Sequence, residues 1–252
     1  MIKKISLAIG CVTLCAAGQL YANDTEIITR VSDAYSNNKV LNNEIQAIPG
    51  DAAWNDQGSV GVQNGVLVGN SYWATVSNDK VGDKYVIQAI LGITAKDKNI
   101  KGGVLVPFTN IQDEKALPPV LVCSECDGDM ENKPVIGLPI INATLNNQNQ
   151  YRGKIVDPLN GNSYKLAMWV DKEGTELNGA GQFLFFNTSQ TWYRISDDLA
   201  KSCFEWFKKQ PFATVKGEAK LQSGDFTSFA YAAENDQISQ QTVSDNLKKL
   251  CQ

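Results

Sequence analysis

Apolar and polar residues alternate with period two through the middle of this chain, while both ends repeat near 3.6. After Trp54, Val60 and Val62 alternate up to Asn64-Gly65, and Val66 and Val68 resume the pattern, which predicts a hairpin. Further strands are predicted at 71–77, 84–94, 100–109 and 118–123, with Gly102-Gly103 marking a bend. Residues 133–141 hold two prolines and Gly137, so a bent, partly extended segment is expected there. Strands at 151–156, 163–170, 181–186 and 189–194 follow. They are separated by turn-forming runs at Asp157-Pro158-Leu159-Asn160-Gly161 and Asp171-Lys172-Glu173-Gly174. Short strands at such regular spacing imply an all-β barrel or sandwich.

The flanks read as helices. Ile27, Ile28, Val31, Ala34 and Tyr35 share one helical face after a capping-box-like Asn23 and Glu26. A second, short helix around Leu41, Ile45 and Ile48 ends at Pro49-Gly50. Beyond Arg194, residues 197–210 place Leu199, Cys203, Phe204 and Phe207 on one face. Residues 239–251 align Val243, Leu247 and Leu250. Between them, 214–221 and 226–233 suit a hairpin around Ser223-Gly224-Asp225. The expected organisation is therefore a helical segment at 23–50, a β-barrel-like domain at 54–194 and a small α+β appendage at 195–252.

Residues 1–22 carry Lys3 and Lys4, an apolar run from Ile5 to Ala17 and a Leu20-Tyr21-Ala22 cleavage site. This predicts a signal peptide removed after about Ala22. Gly10-Cys11 offers a rival lipidation site, but Ala8 stands where Leu is usual. No later segment is long and apolar enough for a helical span, and the terminal Cys251-Gln252 lacks the aromatic end usual in outer-membrane barrels. The expected destination is the periplasm of a Gram-negative bacterium or the medium beyond it. Export also orients the cysteines. Removing the leader leaves Cys123, Cys126, Cys203 and Cys251, for which an oxidising compartment makes disulfides the default. Four cysteines allow three pairings; Cys123–Cys126 and Cys203–Cys251 are favoured, the second joining two predicted helices.

Composition narrows the chemistry. The formal charge is −4, which argues against nucleic-acid binding. Histidine is absent, excluding Ser-His-Asp and Cys-His nucleophile pairs and His-ligated metal. No catalytic set, metal or cofactor is expected. Cys123-Ser-Glu-Cys126 invites a thiol–disulfide reading. However, it leaves a β-branched run for an acidic turn, where Glu125, Asp127 and Asp129 disfavour a thiolate.

Four segments carry a family resemblance: CSECDG at 123–128, NKPVIGLPII at 132–141, YRGKIVDPLNGNSY at 151–164 and SQTWYR at 189–194. In order and spacing they resemble a family of exported bacterial proteins known only as domain of unknown function 2147. KYVIQAI and NIKGGVLVPF are similar to its earlier strands, so the likeness covers roughly 54–194. It implies an antiparallel barrel similar to lipocalins. The family has no established activity, so no catalytic residue is carried over. Turns and core packing explain much of the matched set Asp157, Gly161, Tyr164, Gln190, Thr191, Trp192 and Arg194.

Three roles compete. The first is a binding module for a small apolar or amphipathic ligand. Phe183 and Phe185 lie on one face of their strand, and Trp169, Trp192 and Tyr193 add to the lining. Arg194 at a strand end is placed for cation–π contact or an ion pair. The second is an interaction module presenting 23–48 and 195–252 to an envelope protein. The third is a redox protein using Cys123 and Cys126.

Overall fold

The structure, a computed structural model, describes residues 61–112, 115–117, 119–121, 123–183, 186–208, 212–215, 218–221, 230–231 and 238–252. The predicted leader and the helical segment at 23–50 lie outside these residues.

The first two strands, β1 (Val62–Gln63) and β2 (Val66–Leu67), form the hairpin that Asn64-Gly65 predicts. Both turn residues have positive φ, 52° and 74°, the backbone that this dipeptide accommodates at little cost. Then come β3 (Gly69–Val81), β4 (Lys84–Lys96) and β5 (Asn99–Pro107). The small hairpin of β6 (Asn110–Gln112) and β7 (Lys115–Leu117) follows. The meander resumes with β8 (Pro139–Leu145), β9 (Tyr151–Val156), β10 (Ser163–Val170), β11 (Glu176–Phe183) and β12 (Phe186–Ile195). Every neighbouring pair is antiparallel. β12 returns to β3, and β4 pairs with β5, so eight strands close into a barrel. The chain leaves the barrel for helix α1 (Asp197–Lys208), the hairpin β13 (Phe212–Val215) and β14 (Glu218–Leu221), and strand β15 (Ala230–Tyr231). It ends in helix α2 (Gln240–Cys251). β15 adds to β4 at Tyr85 and Val86, beyond the stretch that β5 covers.

Closure divides the apolar residues into two cores. Strand alternation sends Trp73, Leu91, Ile93, Tyr151, Met168, Leu177 and Trp192 inward. It sends Tyr72, Ala74, Val86, Ile90, Tyr193 and Ile195 outward, where α1 and α2 cover them. The predicted helical faces meet this outer wall: Leu199, Cys203, Phe204 and Phe207 from α1, and Val243 and Leu247 from α2, whose predicted Leu250 is only partly buried while Cys251 is buried beside it. Cys203–Cys251 bonds the two helices. Ser239 caps α2, its Oγ accepting from Thr242 N at 3.2 Å, and Gln240 Nε2 donates to Arg194 O at 2.9 Å. Burial pushes the Tyr193 phenol under this cover up to about 12, helped by the charge of Glu176.

β9 and β10 coincide with the predicted 151–156 and 163–170. Three expectations need correction. The strand expected at 181–186 straddles a turn: β11 runs back to Glu176 through Gly179-Ala180-Gly181, and Phe183 pairs with Phe186 across the hairpin. Gly179, Ala180 and Gly181 are paired strand residues, and a Cβ at Gly179 would meet nothing closer than 3.7 Å. The described residues among 118–123 form no regular strand. Leu121 and Cys123 still bond to 132–135 (Cys123 N to Lys133 O, 2.9 Å; Val135 N to Leu121 O, 3.0 Å). Pro118, Pro119 and Pro134 lack the N–H groups a longer ladder needs. The C-terminal hairpin turns between 215 and 218, earlier than Ser223-Gly224-Asp225.

Candidate functional site

In a meander the connections alternate between the two ends of the barrel, and these ends differ. The β8–β9, β10–β11 and β4–β5 turns share one end with the β1–β2 hairpin. Here Leu67 enters the barrel, 2% exposed, and the Tyr151 hydroxyl accepts from its N–H at 3.0 Å and donates to its carbonyl at 3.4 Å. This interior is packed with Trp73, Ile93, Ile100, Met168 and Leu177.

The opposite end, with the β9–β10 and β3–β4 turns, is hollow. A cavity of about 330 Å³ opens there, walled mainly by apolar groups, among them Leu91, Val104, Ile140, Leu166 and Trp192. Gly179 and Gly181 of β11 give it width. A side chain at Gly179 would begin in free space, with its nearest neighbours, Gln190 O and Met168 Cγ, at 3.7 and 3.9 Å.

A polar relay crosses the wall. Trp192 Nε1, which can only donate, bonds to Gln190 Oε1 at 2.8 Å. That fixes the Gln190 amide, whose Nε2 donates to Val76 O at 2.7 Å and to Gln88 Oε1 at 2.9 Å. Nearby, a β-bulge breaks the β3–β4 ladder around Val76. Hydroxyls fill the gap: Thr75 Oγ1 accepts from Ala89 N at 3.0 Å, and Ser77 Oγ from Val86 N at 3.0 Å. The Thr109 hydroxyl lines the cavity, is 5% exposed and has no hydrogen-bond partner among the described residues.

The rim is built by the DPLNG turn. Asp157 Oδ1 accepts from Leu159 N and Oδ2 from Asn160 Nδ2, both at 2.9 Å, while Gly161 N donates to Asp157 O at 2.8 Å. Gly161 has φ 68°, and any Cβ there would collide with the Glu125 carbonyl. The turn is thereby seated on the Cys123–Cys126 loop, and Cys123 Sγ lies 3.4 Å from Pro158 O. Two distant motifs thus form one rim. The cysteines are disulfide-bonded and only 0% and 3% exposed.

The predicted ligand residues are split by the fold. Trp192 lines the cavity. Trp169 points outward, and with Arg194 it borders a polar cleft at the packed end, beside Asp171 and Glu173. Tyr193 lies under the helices. Phe183 ends β11, with its side chain outside the described residues, and Phe185 lies outside them altogether. Gln88, Thr109, Gly179 and the rim residues Pro158 and Leu159 were not anticipated as site residues. Gln190 could have been found by alternation from Trp192, and Gln88 as the one polar residue within VIQAILGI. Thr109 carries no such signal.

In the cleft, burial opposes ionisation of Asp171, but hydrogen bonds from Glu176 N, Thr175 and Glu173 outweigh it and hold the carboxyl below its ordinary value. Burial raises Glu176, as do its acidic neighbours Asp171 and Glu173. Among the described residues, no group of three or more His, Cys, Asp or Glu is placed to hold a metal. Nor is any helix of those residues long and apolar enough to cross a membrane.

Residues 71–194 match the family described as an uncharacterized protein conserved in bacteria (DUF2147), and over that part the chain belongs to it. The match covers the barrel strands from β3 to β12 and leaves α1 and α2 outside. No curated protein and no solved structure matches the chain.

Proposed function

From membership of an uncharacterised bacterial family, we propose that this protein is an exported binding module that holds one small apolar or amphipathic ligand, in the manner of a lipocalin. One observation carries the reading: a barrel packed shut at one end keeps an apolar cavity at the other. Leaving such a space unfilled forfeits packing energy of roughly 24 cal/mol for each Å³. A pocket of this size suits a ligand of about eleven to sixteen non-hydrogen atoms, allowing roughly 20–30 Å³ for each. Trp192 is the proposed wall contact.

Burial of Cys123 and Cys126 favours a structural disulfide over thiol exchange, because an attacking thiolate needs access to sulfur. Two disulfides and the leader-like residues 1–22 support export to an oxidising compartment.

The test is direct. n-Butylbenzene titrated into delipidated protein should bind with a stoichiometry of one and change Trp192 fluorescence, a response absent from Trp192→Phe. Calorimetry showing no saturable heat, together with unchanged fluorescence, would sink the proposal.

A further inference from the structure

The cavity's polar wall has a direction, set by the indole that can only donate. Trp192 Nε1 donates to Gln190 Oε1, and Gln190 Nε2 donates to Gln88 Oε1. Each amide is therefore held in one orientation. The relay ends at Gln88, which lines the cavity and, with its Oε1 engaged by Gln190, presents Nε2 as the donor end. Thr109 is joined to Gln88 through the backbone, its N–H donating to Gln88 O at 3.1 Å. Its own hydroxyl is buried at the cavity without a partner among the described residues. A buried hydroxyl in that state is costly unless something completes it.

The charges are as informative. Among the described lining residues there is no Lys or Arg, and the charged one is Asp157 on the rim. An anionic head group would enter an apolar space facing a carboxylate and no cation. An ammonium head group would set its donors against the Gln88 donor. A neutral acceptor meets neither obstacle.

We propose that the cavity selects neutral amphiphiles: a short hydrocarbon body ending in an amide, ester or alcohol whose oxygen accepts from Gln88 Nε2 and Thr109 Oγ1. This rests on the binding reading above and names its ligand class. The body lies against Leu91, Val104, Leu166 and Trp192. The head group reaches the Gln88–Thr109 corner.

Decanamide, decanoate, decylamine and n-butylbenzene, titrated calorimetrically at pH 8, separate the possibilities. Decanamide is expected to bind at least about tenfold tighter than decanoate or decylamine. The near-isosteric Thr109→Val, checked for native folding by circular dichroism, should weaken decanamide roughly tenfold relative to n-butylbenzene, which makes no hydrogen bond. Gln88→Glu still accepts from Gln190 but ends the relay in an anion, and should shift preference to decylamine. Equal affinity for decanamide and decanoate in the native protein overturns the head-group assignment while leaving the cavity reading intact. So does an unchanged preference in Gln88→Glu. Binding of none of the four compounds removes both.

Discussion

The two ends of the barrel share eight strands and one alternation rule, yet one end is solid and the other hollow. At the solid end a hairpin pushes Leu67 inside, and Tyr151 satisfies both of its backbone groups. Large side chains fill the remaining space. At the hollow end β11 contributes glycines, and the rim is a turn seated on a disulfide loop rather than a plug. Barrel closure therefore does not by itself produce a binding site. What differs is which connections fold back into the interior and where small residues interrupt the wall.

The largest expected disruption is at the hollow end's rim. Gly161→Ala places a methyl on the Glu125 backbone in a left-handed conformation and should cost about 3 kcal/mol or more in denaturant unfolding. It should also weaken probe binding, because the rim can no longer seat. A variant as stable as the native protein would show that the two motifs do not support each other.

At the solid end, Tyr151→Phe removes the partner of the buried Leu67 N–H and is expected to cost about 1–3 kcal/mol. Binding at the other end should be unchanged. Loss of n-butylbenzene binding in folded Tyr151→Phe would mean that the ends are coupled.

Gly179→Leu tests the hollow directly. The Cβ has room, and replacing a strand glycine should stabilise by about 1 kcal/mol while the side chain fills the space. Higher stability with lost binding is expected; retained binding places the ligand elsewhere.

The smallest effect concerns pH. The Asp171 carboxyl is held low by its turn, so its contribution is present above the unfolded value near 3.8 and fades as pH falls through the lower folded value. Glu176 acts oppositely: its raised value means that protonation relieves strain as pH falls. Asp171→Asn should flatten the acid limb of a stability–pH profile below about pH 4. An unaltered limb would show that the turn bonds do not survive in solution.

Much of this was legible in the residues. Asn64-Gly65 demands a tight hairpin, and Asp157-Pro158-Leu159-Asn160-Gly161 a turn, because their side chains and φ preferences act locally. β9 and β10 were readable because alternation is local too. β11 was misplaced because Gly179, Ala180 and Gly181 offer no apolar alternation to read, and only pairing with β10 and β12 makes them a strand. Trp169 and Trp192 looked alike as candidates. A face assignment relative to the closed barrel was needed to separate an exposed residue from a cavity wall.

The sequence by itself determined a repeated antiparallel pattern, helices with one apolar face, cysteines suited to pairing and the absence of histidine chemistry. All follow from short-range periodicity and composition. Only the tertiary structure decided that the barrel is plugged at one end and keeps a cavity at the other, and that two motifs thirty or more residues apart share a rim. It also decided that a glutamine relay ends beside a threonine hydroxyl without a partner among the described residues. Volume left inside a closed wall is a sum over strands from distant parts of the chain, and no local pattern records that sum.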